Sequence, residues 1–166
     1  MVNAFGTGVG DDKLAHAYVE EMIRFYLGEE PRLPSVHTYD LAGEKRRSWA
    51  VRRIDRLVFK PRGGHGGNGV VVGPHANARD RRAIGRLVRK TIDRHVAQET
   101  VRLSTHPTIR DGRLAPRHVD LRAFAIGTGT DFELVRGGLT RVAFGAGDLV
   151  VNSSQGGGGK DTWIPR

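Results

Sequence analysis

The chain has 166 residues, 38% of them hydrophobic, with no cysteine and a formal net charge of +9. That length encloses a real core in one domain, and the mixed charge at this hydrophobicity argues against disorder. Disulfides and thiolate metal sites are excluded. No apolar run reaches the roughly 20 residues that cross a bilayer, and no basic-then-apolar leader opens the chain, so the expectation is a cytoplasmic protein without a membrane partner.

The opening "MVNAFGTGVGDDK" reads as a glycine-punctuated loop whose two aspartates can cap a helix. Leu14, Tyr18, Met22 and Tyr26 then recur at i, i+4 and predict an amphipathic helix closed by Gly28, with Tyr18, Phe25 and Tyr26 as its core side chains. Two prolines in "EEPRLPSV" make the next stretch an extended connection, and "AGEKRRSWAVRRI" predicts a short basic helix. "RLVFK" reads as a buried strand, followed by a glycine loop and a returning strand, "GVVVG". A second helix is predicted over 77–93, with Ile84, Leu87, Val88 and Ile92 on one face and arginines on the other.

From there the pattern turns to strands: "HVAQETV", then "PTIRDGRLA" with Asp111-Gly112 as a hairpin turn, then "RHVDLRAFAIG", "DFELVRGGLTRVAF" and "GDLVVNSS", before a second glycine-rich stretch, "SSQGGGGKDTW". Helices come early and antiparallel strands late, so the fold class is α+β, without the alternating rhythm of a doubly wound parallel sheet. No internal repeat or linker is visible.

Glycine supplies 23 residues, roughly twice its usual share of about 7%. Together with an excess of arginine over lysine, this anticipates an anionic partner approached by backbone. In "VFKPRGGHGGNGVVVG" a lysine precedes the glycines and strands flank them. That is neither the P-loop order, in which lysine follows the glycines and a helix follows the lysine, nor the strand–GxGxxG–helix fingerprint. Local chemistry leaves both a plain hairpin turn and a phosphate lid open. In "HVAQETV" the polar Gln98-Glu99 either offers an edge to a base and a ribose hydroxyl or simply ends a strand. Alternation puts His118, Asp120 and Arg122 on one face of a strand, either a polar active face or a routine ion pair. His16, His37, His65, His75, His95 and His106 have no ligand spacing.

Taken in order, "KPRGGHGGNGV", "VAQETV", "RHVDLRAFAI", "GGLTRVA" and "LVVNSSQGGGGK" resemble the ATP-grasp superfamily, and most closely its circularly permuted members, relatives of glutathionylspermidine synthetase. The resemblance covers essentially all 166 residues and implies an ATP-grasp-like fold of mostly antiparallel sheets packed with helices, circularly permuted and incomplete. Residues 1–55 would form an N-terminal helical part with the permuted metal segment, and 56–166 the lid, hinge and catalytic strands of one nucleotide-binding region. It implies ATP and magnesium as cofactors and a carboxylate–amine ligase working through an acyl phosphate.

By the same resemblance Lys60 contacts the ATP phosphates, and Gly63, Gly64, Gly66, Gly67 and Gly69 form the lid. Gln98, Glu99 and Val101 form the hinge that reads adenine and ribose. Arg122 and Arg141 are the active-site arginines, and Asn152 is the asparagine before the second glycine loop. "VNAFG" is similar to the metal segment, making Asn3 the candidate magnesium ligand. The position two residues earlier, where the family has an acid, is Met1. The resemblance therefore also implies the C-terminal portion of a longer protein, served by an N-terminal part or a partner subunit. Alternative expectations are a non-catalytic nucleotide-binding remnant and a basic nucleic-acid-binding module. An aromatic content of 7% argues against the latter.

Overall fold

Leu57 and Phe59 alternate with Val58 and Lys60, and this period of two makes the central strand of the first sheet two-faced. The structure, a computed structural model, describes residues 5–64, 66–149, 151 and 156–164. The chain divides into two compact units, Met1–Val101 and Arg102–Arg166.

In the first unit, β1 (Thr38–Asp40), β2 (Leu57–Pro61), β3 (Val71–Val72) and β4 (His95–Glu99) form an antiparallel sheet in the order β1-β4-β2-β3. One face presents Leu57, Phe59 and Ala97 to a cluster that includes Leu41, Ala50, Ile54, Ile84 and Val88. The last four come from α2 (Glu44–Arg52), the 3-10 turn Ile54–Arg56 and α3 (Ala78–Lys90). Phe59 and Ala97 are wholly excluded from solvent, which makes this cluster the main apolar anchor of the unit. Asn77 caps α3 by accepting the Asp80 N–H at 2.9 Å, and Arg89 and Lys90 sit in its last turn, where cations complement the helix dipole. Gly73 ends β3 against the chain at Ile54: a Cβ there would lie 1.6 Å from the Ile54 carbonyl oxygen.

The N-terminal helix forms only in pieces. A 3-10 turn (Ala15–Tyr18), α1 (Val19–Met22) and a π turn (Ile23–Leu27) follow one another, and Gly28 closes the run with φ 64°. Tyr18, Phe25 and Tyr26 are 40%, 81% and 76% exposed rather than core. The change of helical pitch breaks the single stripe that i, i+4 spacing assumes. Leu87 and Ile92, expected on the buried face of the second helix, are also exposed. Ile84 and Val88 carry that face, and the helix ends at Lys90 before Ile92.

In the second unit, β5 (Thr105–Arg110) and the long β6 (Arg113–Arg122) meet at a turn where Asp111 and Gly112 both have positive φ, 52° and 73°, as a two-residue hairpin of this hand requires. The far half of β6 pairs with β9 (Leu139–Val142), and β9 with β10 (Gly158–Lys160), giving the order β10-β9-β6-β5. β7 (Ala125–Gly127) and β8 (Phe132–Leu134) form a separate hairpin. Within "GDLVVNSS", Gly147–Leu149 and Val151 form no strand; the other four residues lie outside those described. The glycine-rich stretch instead supplies β10. The two units together give the α+β mixture of helices and antiparallel sheet that the sequence predicts.

Candidate functional site

The second face of the first sheet is polar where the core face is apolar. Gln98 lies opposite Val58 and Thr38 opposite Gln98, so Lys60, Gln98 and Thr38 share the face turned away from Phe59. Their side chains form a chain of hydrogen bonds. Lys60 Nζ donates to Gln98 Oε1, Gln98 Nε2 donates to Thr38 Oγ1 at 2.7 Å, and Thr38 donates to the Val36 carbonyl at 2.9 Å. Gln98 is buried. Burial holds the Lys60 ammonium below its ordinary pKa, and the nearby charge of Lys13 pushes the same way. The cation thus rests on a neutral amide oxygen.

The glycine segment joins β2 to β3 and is anchored at its stem. Arg62 grips Asp12 through Nε and Nη2, the latter at 2.5 Å from Oδ2, and donates through Nη1 to the Asp93 carbonyl at 3.0 Å. Hydrogen bonding from Arg62, then from the Leu14 amide, holds the Asp12 carboxyl below its usual range. Lys13 donates to the Gly64 carbonyl at 2.9 Å. Gly64, Gly66, Gly67 and Gly69 all have positive φ, between 67° and 98°, a region that side chains avoid, so this path requires glycine. Gly63 and Gly64 are exposed.

At the end of β4, Glu99 accepts the Tyr39 hydroxyl at 2.8 Å, and its backbone N–H donates to the His37 carbonyl. Burial, then Glu99, pushes the Tyr39 phenol up to about 12. Val101 is 44% exposed and lies beyond the strand. The first unit therefore brings Lys60 and Gln98 together at the root of the glycine loop, while Glu99 is engaged through Tyr39. Asn3 lies outside the described residues.

In the second unit, Asp120 and Arg141 stand directly opposite across β6 and β9. Arg141 Nε donates to Asp120 Oδ1 at 2.8 Å and Nη2 to Oδ2, a two-pronged pair that raises the arginine further above its ordinary pKa. Arg122, two residues on and exposed, makes no side-chain hydrogen bond or ion pair among the described residues. His118 donates from Nδ1 to the Leu103 carbonyl at 2.9 Å. The polar face foreseen at His118, Asp120 and Arg122 thus holds an ion pair, a committed histidine and one available arginine. Asn152 lies outside the described residues. Among those described, no three His, Asp or Glu side chains converge as a metal site, and no helix is long and apolar enough to cross a membrane.

Sequence reading did not single out Asp12, Lys13, Thr38, Tyr39 or Arg62 as part of this constellation. Arg62 adjoins the glycines and Lys13 ends the opening loop, but their contacts join positions about 50 residues apart and leave no local pattern.

The family model "Circularly permuted ATP-grasp type 2" matches residues 1–143, and the chain belongs to that family. Among similar proteins, an uncharacterized protein of Mycobacterium tuberculosis is 48% identical over 99% of this chain and 30% of its own length. A Frankia alni protein named "Putative glutamate--cysteine ligase 2-3" is 47% identical over 100% of this chain and 19% of its own length. An uncharacterized protein of Synechocystis is 44% identical over 99% of this chain. The chain spans between 19% and 34% of the length of these relatives.

Proposed function

We propose that the chain is the ATP-binding portion of a carboxylate–amine ligase, acting in the cytoplasm. In the reaction, a carboxylate oxygen takes the γ-phosphoryl of ATP, releasing ADP and giving an acyl phosphate. An amine then attacks the acyl carbon, inorganic phosphate leaves, and an amide remains. The observation that carries this reading is Lys60: a partly buried cation with no carboxylate partner among the described residues, on the strand that leads into the clamped glycine loop. Such a group has incomplete compensation for its lost hydration, and an anionic phosphate would supply it. The name of the Frankia relative supports the reaction class, since joining glutamate to cysteine condenses a carboxylate with an amine.

Each unit has its own part in the reading. In the first, Lys60 takes the phosphates, backbone amides of the loop at Gly63, Gly64, Gly66, Gly67 and Gly69 cover them, and Gln98, Glu99 and Val101 lie along the base and ribose. In the second, Arg122 answers the charge that grows on the transferred phosphoryl; Arg141 can join it only by sharing or leaving Asp120. Magnesium would supply further positive charge to the phosphates; the candidate ligand Asn3 lies outside the described residues, among which no three His, Asp or Glu side chains converge.

The test is a thermal-shift titration with ATP and magnesium. Stabilisation by ligand is expected for the native chain and loss of most of it for Lys60→Ala. An unchanged titration would remove Lys60 from the site and, with it, the main support for the reading.

A further inference from the structure

The helices α2 and α3 lie on the core face of the first sheet, opposite the face that carries Lys60, and between them runs an open groove of about 480 Å³. Its floor includes Val51 and Ile54, and five arginines converge on it: Arg52 from α2, and Arg81, Arg82, Arg86 and Arg89 from α3. The sequence alone presents the arginines of α3 as an ordinary solvated face. The structure adds a second helix that brings a further arginine to the same groove.

Only one of the five is committed elsewhere. Arg81 donates to the Gly73 and Pro74 carbonyls at 3.1 and 3.2 Å and so belongs to the fold. Arg52, Arg82, Arg86 and Arg89 make no side-chain hydrogen bond or ion pair among the described residues. The one carboxylate in the lining, Asp55, stands 3.9 Å from its own neighbour Arg56. Like charges spaced three and four residues apart on a helix repel one another and weaken it. Four unmatched guanidinium groups therefore cost stability in the free chain and favour an anionic occupant.

Spacing and floor together select the kind of anion. Arg82, Arg86 and Arg89 step along α3 by rises of roughly 6 and 4.5 Å, the spacing at which a second helix presents carboxylates three and four residues apart. The lining holds no aromatic ring on which a base could stack, and it offers Val51 and Ile54 instead. We propose that this groove docks an acidic, amphipathic polypeptide segment, with carboxylates on Arg52, Arg82, Arg86 and Arg89 and an apolar side chain against Val51. The proposal is independent of ATP binding, because the groove and Lys60 occupy opposite faces of the sheet.

The probe is a fluorescein-labelled helical peptide of about 18 residues, long enough to hold its helix, with glutamates at i, i+4 and i+7 and leucines between them. Fluorescence anisotropy on the full 166-residue chain reads its affinity. Binding is expected at low salt, weakened at about 0.3 M salt, where the Debye length is shorter than 10 Å. Arg82→Glu/Arg86→Glu should weaken it about tenfold or more, and a peptide with lysines replacing the glutamates should bind that variant better than the native chain. Arg113→Glu/Arg136→Glu, which changes net charge equally in the second unit, should cost less than about twofold, and the neutral Arg86→Gln covers the case in which the double reversal unfolds. Absence of peptide binding at low salt, or equal loss in both double variants, would overturn the proposal. So would tighter binding of oligouridylate through the same arginines, which would make the occupant a nucleic acid.

Discussion

The two four-stranded sheets hold their central cations in different ways. In the first unit, Lys60 rests on the amide oxygen of Gln98, on a sheet whose other face is sealed by Leu57, Phe59 and Ala97. In the second, Arg141 lies along the carboxylate of Asp120, on a sheet whose strands expose Ile109, Leu114 and Leu121 at 73%, 72% and 62%. An amide dipole orients a cation without neutralising it, whereas a carboxylate does both. The first arrangement leaves the positive charge without a counter-charge among the described residues, on a sheet whose other face is a well-packed core. The second joins β6 to β9 through side chains, and it leaves Arg122 as the freer cation of its face among the described residues.

The largest difference should appear in packing. Phe59→Ala removes a fully buried ring and should destabilise the first unit by about 3–5 kcal/mol, read as a lowered urea midpoint in the fluorescence of Trp49, which packs against the same core. Leu134→Ala in the β7–β8 hairpin, where the side chain is 73% exposed, should stay within about 0.5 kcal/mol. Equal losses would show that the second unit has a core as tight as the first. Next comes the ion pair. Asp120→Ala strands Arg141, and because the two side chains keep 26% and 22% of their exposure, the loss should be about 1 kcal/mol rather than that of a sealed pair. Amide exchange across β6 and β9 should then quicken roughly fivefold, while β2 and β4 are unaffected. Quickening in both sheets would mean that the pair serves more than its own strands.

How far the sequence reaches differs along the chain for physical reasons. Helix α3 was legible because its cap (Asn77) and its buried residues (Ile84 and Val88) are local signals, and the β5–β6 turn because Asp-Gly tolerates positive φ. The hairpin bearing the glycines, and the shared face of Asp120 and Arg122, follow from alternation. The identity of the arginine that pairs with Asp120 does not, since it depends on the register between β6 and β9. The N-terminal periodicity stated which side chains could share a stripe, but not that the helix would change pitch or that Tyr26 would face solvent. β10 runs through glycines that carry no strand preference and exists through its pairing with β9. The Asp12–Arg62 clamp joins two loops whose proximity only the folded sheet creates.

The charge difference between the sheets can also be tested by pH. Burial lowers the pKa of Lys60, so the folded state resists its proton relative to the unfolded chain. Its charge is therefore a cost at neutral pH, relieved as pH rises from the lowered value toward the ordinary 10.5. Lys60→Met should raise the melting temperature at pH 7, and this advantage should shrink at higher pH. An advantage constant with pH would assign the gain to packing and not to the buried charge. Arg141 offers no comparable window, since its carboxylate partner shifts it further above an already high value.

The smallest expected effect concerns the end of β4, where Glu99 lies opposite Leu57. The chain has three tyrosines, and Tyr39 should ionise last, at about 12. Burial is the first cause, and the hydrogen bond to Glu99 the second. The neutral phenol is the form the fold favours, so its contribution to stability is complete below pH 10 and lost as pH rises through about 12. In an alkaline absorbance titration, Tyr39→Phe should delete the last phase. Glu99→Gln should move that phase only part of the way toward 10, because the burial remains. A full return to 10 would make the carboxylate, not burial, the dominant cause.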